Sequence, residues 1–124
     1  MQTNPCYCGS NIPFGECCSL YINGIQKAPS AVALMRSRYT AYVIQNADYL
    51  IATTHLSTRK LFSKEEILTW SQDNKWLRLE VLASTETTVT FKAYFLDSEM
   101  KAQTHHEHST FKREGDVWYY VTGE

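Results

Sequence analysis

Two rhythms divide the chain. From Ala31 to Asn46 apolar residues return every three or four positions (Ala31, Leu34, Met35, Tyr39, Tyr42 and Val43), which predicts an amphipathic helix with Ser30 as its N-cap. A second, short helix is expected from Asp48 to Thr54 and a third from Lys64 to about Gln72. Before the third, Ser63-Lys64-Glu65-Glu66 has the form of a capping box, Ser63 accepting from the Glu66 amide while the Glu66 side chain reaches back. Beyond Asn74 the rhythm changes to alternation. Trp76–Ser84, Thr87–Leu96, His105–Arg113 and Val117–Thr122 are rich in β-branched and aromatic residues and predict four strands, the last two joined by a turn at Glu114-Gly115-Asp116. Helices first and antiparallel strands afterwards predict an α+β domain whose curved sheet wraps the helices.

The first thirty residues follow neither rhythm. Residues 1–21 carry Cys6, Cys8, Cys17 and Cys18, which are all 4 cysteines of the sequence. Residues 22–29 read as a linker, with a turn at Asn23-Gly24 and Pro29 as a stop, and residues 30–124 form the main domain. Four thiolates closing on one point suit a tetrahedral d¹⁰ ion, with Zn–S distances of about 2.3 Å. Gly9, Ser10, Asn11, Pro13 and Gly15 let the loop curl round such an ion. Zinc is the first candidate, and iron uses the same four sulfurs. The rival is a pair of disulfides, with a redox motif behind it. Met1 to Pro5 is polar, with neither a basic n-region nor an apolar h-region, so a reducing, cytoplasmic setting with free thiols is expected.

Composition narrows the field. At 124 residues the chain builds one core and a small appendix, and 44% hydrophobic with 13% aromatic residues excludes disorder for its bulk. A net charge of −1 gives no footprint for duplex nucleic acid, and no run of eighteen apolar residues predicts a membrane span.

The string CYCGSNIPFGECC resembles the SEC-C motif, a small zinc-binding element at the C-terminus of the SecA translocation motor. That resemblance implies Cys6, Cys8, Cys17 and Cys18 as ligands and a knuckle that docks onto a protein partner, as SecA's tail does with the SecB chaperone. A ribosome or nascent-chain factor is the other partner class considered. The element order resembles the nuclear-transport-factor-2-like (cystatin-like) cone, also seen in ketosteroid isomerase, in which a long helix lies in the concave face of a bent sheet. Closer still is the YchJ-like family, which joins the two modules. Met35-Arg36-Ser37-Arg38-Tyr39-Thr40-Ala41-Tyr42 looks like its signature, and Asp48-Tyr49-Leu50, Thr54-His55, Ser57-Thr58-Arg59, His106-Glu107 and Trp118-Tyr119-Tyr120-Val121 extend the likeness across nearly the whole chain. Longer members carry a second cysteine motif at the C-terminus, which these 124 residues do not contain. Cones of this type often pair through the sheet, so a homodimer is one assembly the resemblance allows.

Strand alternation sorts His105-His106-Glu107-His108. Phe111 is the evident core residue, so Ser109, Glu107 and His105 share its face, while His106, His108, Thr110 and Lys112 look at solvent. A carboxylate in the concavity needs a partner, and Arg36 or Arg38 is expected to pair with Glu107. The alternative is a ligand pocket lined by Arg36, Arg38, Tyr39, Tyr42, Glu107 and Ser109, with Glu107 as acid/base, by likeness to ketosteroid isomerase. The first reading expects a filled cone with Glu107 on arginine; the second expects an open cavity with Glu107 unpaired and its pKa raised. His55 and Ser57 lack a locatable acid, so a capped turn is expected there. Trp70, Trp76 and Trp118 read as core or rim, and Tyr7, Ile12, Phe14 and Leu20 as apolar contacts of the knuckle. An adaptor is the leading reading, ahead of an enzyme.

Overall fold

Ser30 opens the long helix: its backbone is extended (φ −155°, ψ 166°) and its side chain accepts from the Ala33 amide at 3.2 Å in this computed structural model, which describes residues 4–124. The first three residues of the predicted knuckle, 1–3, lie outside the described residues. The long helix, α2 (Ala31–Val43), stops short of Asn46 because Gln45 takes a left-handed φ of 63° and Asn46 caps the next helix, accepting from the Tyr49 amide at 3.0 Å. That next helix is α3 (Ala47–Ala52). Ser63 makes its half of the capping box, accepting from Glu66 at 3.3 Å, at the head of α5 (Lys64–Asp73). Two further helices, α1 (Cys18–Ile22) and α4 (Leu56–Arg59), span barely a turn, too little for a periodic signal.

The strands β1 (Lys75–Ser84), β2 (Thr88–Leu96), β3 (Ala102–Glu114) and β4 (Val117–Gly123) form one antiparallel sheet in the order β1-β2-β3-β4. β3 begins at Ala102, earlier than the first histidine, because β2 pairs with it as far as Leu96↔Ala102. Gly115, at φ 65°, closes the last hairpin. Register shifts between Trp76/Arg78, Val81/Ala83 and Thr110/Phe111 bend the sheet.

The core sits between this sheet and α2. Leu34, Met35 and Tyr39 pack against Leu79, Val89, Phe91, Phe111 and Trp118. Ala28 joins the same cluster, so the connection after α1 is anchored on the domain. A parallel bridge between Thr54 and Tyr120, with His55 donating to the Tyr120 carbonyl at 2.8 Å, ties the end of α3 to β4. No helix among the described residues is long and apolar enough to cross a membrane.

Candidate metal centre and cone pocket

The N-terminal loop closes on itself through backbone bonds. Cys6 donates to the Ile12 carbonyl at 2.8 Å, and Gly9 (φ 84°) and Asn11 (φ 65°) supply the left-handed turns that reverse the chain between them. A 3₁₀ turn at Phe14–Glu16 then delivers Cys17 and Cys18 at the start of α1. The four sulfurs lie within 4.8 Å of one another, with Cys8 to Cys17 at 3.7 Å and Cys17 to Cys18 at 4.0 Å. A tetrahedral ion with four Zn–S bonds of about 2.3 Å has S···S edges of about 3.8 Å, so the spacing fits one metal. All four cysteines are free, which sets aside the disulfide reading.

The electrostatics of the quartet point the same way. Hydrogen bonds from Cys18 and Cys6 hold the Cys8 thiol well below its ordinary value, whereas Cys18 is pushed far up by its bonds to Cys6 and Cys8. Burial pushes Cys17 up as well, against the bond from Ser10, whose oxygen lies 3.2 Å from its sulfur. Cys8 gives up its proton easily, whereas Cys17 and Cys18 resist giving up theirs. A divalent cation removes that conflict by replacing the protons.

The loop is fastened to α2 by two contacts that sequence reasoning missed. Arg36 Nη1 donates to the Cys8 carbonyl at 2.6 Å, and the Thr40 hydroxyl sits 3.8 Å from the Cys6 sulfur. Arg36 is therefore no pocket residue. Its side chain leaves α2 on the metal side, and the expected pairing with Glu107 does not form. Of the apolar knuckle residues, Tyr7 and Ile12 are 50% and 46% exposed, while Phe14 and Leu20 are half-buried.

On the other side of α2 lies a cavity of about 80 Å³ whose walls include Arg38, Tyr39, Tyr42, Trp70, Trp76 and Glu107. β3 brings Glu107 there with the alternation its sequence predicts: Ser109 and Phe111 are buried and Glu107 half-buried, with His106, His108, Thr110 and Lys112 exposed. Glu107 does not meet Arg38 either. It accepts from His105 Nε2 at 2.8 Å, from the Ser109 hydroxyl at 2.5 Å and from the Tyr120 hydroxyl at 3.3 Å. Ser109, fully buried, stands behind Glu107 and off the cavity wall. Arg38 is instead held by the C-terminal end of α3, donating through Nη1 to the Leu50 carbonyl at 2.9 Å and to the hydroxyls of Thr53 (2.7 Å) and Thr54 (3.4 Å). Its guanidinium lies 4.4 Å over the Tyr120 ring.

Neither foreseen outcome is met: the cone is open, yet Glu107 is bonded and acidic. Burial disfavours its charge, but the bonds from His105, Ser109 and Tyr120 outweigh burial and hold the carboxyl below its ordinary range. The same bond raises His105 against its own burial. Burial raises Tyr120 and Tyr42, and Tyr39 is pushed up to about 12. A general base matched to neutral pH needs a raised carboxyl, and Glu107 has the reverse.

His55 has an acid partner after all. Its Nε2 meets Glu114, 59 residues away, and its Nδ1 lies 2.7 Å from the Ser57 hydroxyl. However, Nδ1 also accepts from the Ser57 amide at 3.1 Å as the N-cap of α4, so its lone pair is committed to the backbone. The group caps a turn. Trp70 is 44% exposed at the cavity rim, Trp76 packs between Tyr42 and Phe95, and Trp118 is buried.

Fold and site together define a curved-sheet α+β domain with a four-cysteine knuckle fitted for a metal at its N-terminal end. Residues 30–123 match the family model described as YchJ, middle NTF2-like domain, and the chain belongs to the YchJ-like family. It is 38% identical to a UPF0225 protein of Geobacter sulfurreducens, over 98% of this chain and 80% of that one. With a UPF0225 protein of Polaromonas naphthalenivorans it shares 40% identity over 99% of this chain and 98% of the relative. The solution structure of a SEC-C motif containing protein from Rhodopseudomonas palustris superposes with a TM-score of 0.89 at 36% identity, covering 96% of both chains. The crystal structure of a SEC-C motif containing protein from Psychrobacter arcticus gives 0.81 at 30% identity, over 98% of this chain and 81% of that one. The family and the cone expected from the sequence are both met.

Proposed function

We propose that Cys6, Cys8, Cys17 and Cys18 hold one zinc ion that folds the knuckle, and that the knuckle docks a protein partner in the cytoplasm. A closed four-sulfur cage flanked by exposed apolar side chains carries this reading. Four protein ligands leave no coordination position for substrate, so the metal's contribution is rigidity. Ser10 and Thr40 reach sulfur with hydroxyls, and Arg36 fixes the Cys8 backbone, which keeps the ligand geometry in register with α2. Tyr7 and Ile12 then stand out beside the cage as the natural anchors of a contact. The likeness to SecA's tail supplies the first partner to try, a SecB-type chaperone, with ribosomes as the second. The other association, a homodimer through the sheet, would cover Leu77 and Leu82 on β1, which are 51% and 46% exposed.

Titration calorimetry of the zinc-loaded protein against a purified SecB-type chaperone and against ribosomes tests the docking. The Tyr7→Ala, Ile12→Ala double variant should bind at least about tenfold more weakly with its metal content unchanged. Binding to neither partner, or equal binding by the variant, overturns the docking reading. Metal analysis finding iron in place of zinc overturns the choice of ion alone.

A further inference from the structure

Arg38 is the charge in this molecule least explained by the fold. It is 5% exposed, and among the described residues it takes part in no ion pair. The end of α3 and the Tyr120 ring offset part of the cost of burying this cation, and with no counter-ion in contact an anion on its free edge still gains. All three of its hydrogen bonds leave from Nη1 and end on neutral oxygens. No buried side-chain nitrogen or oxygen among the described residues lacks a partner, so the unbonded Nε and Nη2 keep access to open space. The space that Arg38 borders is the cone cavity.

Across the cavity stands the opposite charge. Three of the roughly four acceptor positions of the Glu107 carboxylate are used, by His105, Ser109 and Tyr120, and one remains. Tyr120 keeps the two charges apart, its ring packed under the guanidinium and its hydroxyl donating to Glu107. Arg38 disfavours a simple cation, and Glu107, already paired with His105 at the cavity wall, offers a free acceptor that a simple anion leaves unused. A molecule carrying both an anionic end and a donor end satisfies each.

We infer that the cone binds a small carboxylate that also bears a hydroxyl or ammonium group, with its carboxylate on the free edge of Arg38 and its donor on Glu107. The cavity of about 80 Å³ has room for roughly three waters at about 30 Å³ each, so only a compact ligand enters it. Two- and three-carbon hydroxy and amino acids are the smallest molecules that carry both ends. Tyr39, Tyr42, Trp76 and Phe91 are among the other residues lining the cavity, His105 lines it beside Glu107, and Trp70 lines it while 44% exposed. This site shares no residue with the metal cage and stands or falls independently of it.

The test is an NMR titration of the metal-loaded protein with glycolate, lactate, glycine and alanine, following the Arg38 Nε–Hε and Trp76 indole resonances. Acetate and glycolamide are controls, lacking the donor and the charge respectively. Saturable shifts at about millimolar concentration are expected for at least one hydroxy or amino acid. Both controls should bind at least about tenfold more weakly. Arg38→Lys, which loses the planar fork, should weaken binding about tenfold or more. Because Arg38 also holds the end of α3, Glu107→Gln provides a second arm, expected to erase the preference over acetate. No saturable shift with any of the four acids, equal binding of glycolamide, or an intact preference in Glu107→Gln overturns the inference.

Discussion

Gly123→Ala is the sharpest test of how the Glu107 network is built. Gly123 pairs with Ser109 across β3 and β4, and its backbone is not left-handed, so alanine meets no conformational obstacle. The obstacle is spatial: a Cβ at residue 123 falls on the Glu107 carboxylate, closer than real carbon contacts allow. Glu107 must swing away and give up its bonds to His105, Ser109 and Tyr120. Ser109 is 0% exposed and loses its acceptor, which costs about 1–3 kcal/mol. Replacing a strand glycine by alanine returns about 0.5–1 kcal/mol through backbone entropy. The net expectation is a loss of about 1 kcal/mol and at most about 2.5 kcal/mol, a fall in Tm of roughly 3–8 °C for a domain of this size.

Urea unfolding followed by tryptophan fluorescence measures the loss, with an unchanged m-value. The decisive measurement is the double-mutant cycle with Glu107→Ala. Without the carboxylate the collision vanishes, and Gly123→Ala should become neutral or stabilising by about 0.5 kcal/mol. Equal effects in both backgrounds would refute the steric account. So would a wild-type background that tolerates alanine without loss.

Three further expectations follow from the same geometry. Removing the metal with a strong chelator should speed amide exchange in residues 4–22 while the sheet keeps its protection, because Cys6, Cys8 and Cys18 form a buried cluster separate from the sheet core; cooperative loss of both would contradict that division. Arg36→Gln, which cuts the bond to the Cys8 carbonyl, should lower metal affinity about tenfold in competition with a chromophoric chelator, and unchanged affinity would remove Arg36 from the site's support. The His105–Glu107 pair should make stability pH-dependent in two directions. Glu107, depressed on folding, contributes above its unfolded pKa of about 4.3 and loses that contribution as pH falls; His105, raised on folding, contributes fully below about 6.5 and loses it as pH rises through its folded value. The contribution is thus largest between those limits, about 1 kcal/mol or less because His105 is half exposed, and Glu107→Gln should flatten the profile of Tm against pH.

The legible parts of this molecule are those encoded locally. Four cysteines within thirteen positions can meet only if the loop between them closes, so the spacing alone points to a metal. The strands show as alternation, and Ser30 and Ser63 mark helix starts because a cap needs only its own next three residues; Asn46, read as the tail of the long helix, is instead the cap of α3. The illegible parts depend on distant register. Arg36 and Arg38 stand two residues apart and both flank the apolar stripe; about 200° of helix rotation separates them, and only the packed structure says which faces the cone. Glu114 reaches His55 across 59 positions, and Gly123 matters only once the register that places it beside Glu107 is known. Helices of four and five residues, α1 and α4, carry no period to detect.

α2 explains why its own pattern understates its role. A surface helix shows one apolar stripe and a polar back, but α2 touches α1, α3, α5, β1, β2 and β4. Ser37, Arg38 and Thr40 are buried on it as thoroughly as Leu34, since every side of the helix is covered. Its polar residues are therefore connectors: Ser37 to Tyr49 at 2.7 Å, Arg36 and Thr40 to the metal loop, Arg38 to α3 and the cavity. One rigid rod thus carries the metal cage on one side and a buried, unpaired guanidinium on the other. A displacement at Cys8 has a direct mechanical path through Arg36 to the backbone that sets Arg38. If that path transmits, metal removal will shift the Arg38 Nε–Hε resonance even while the sheet stays folded; an unmoved resonance would mean that the two sites share a helix and nothing more.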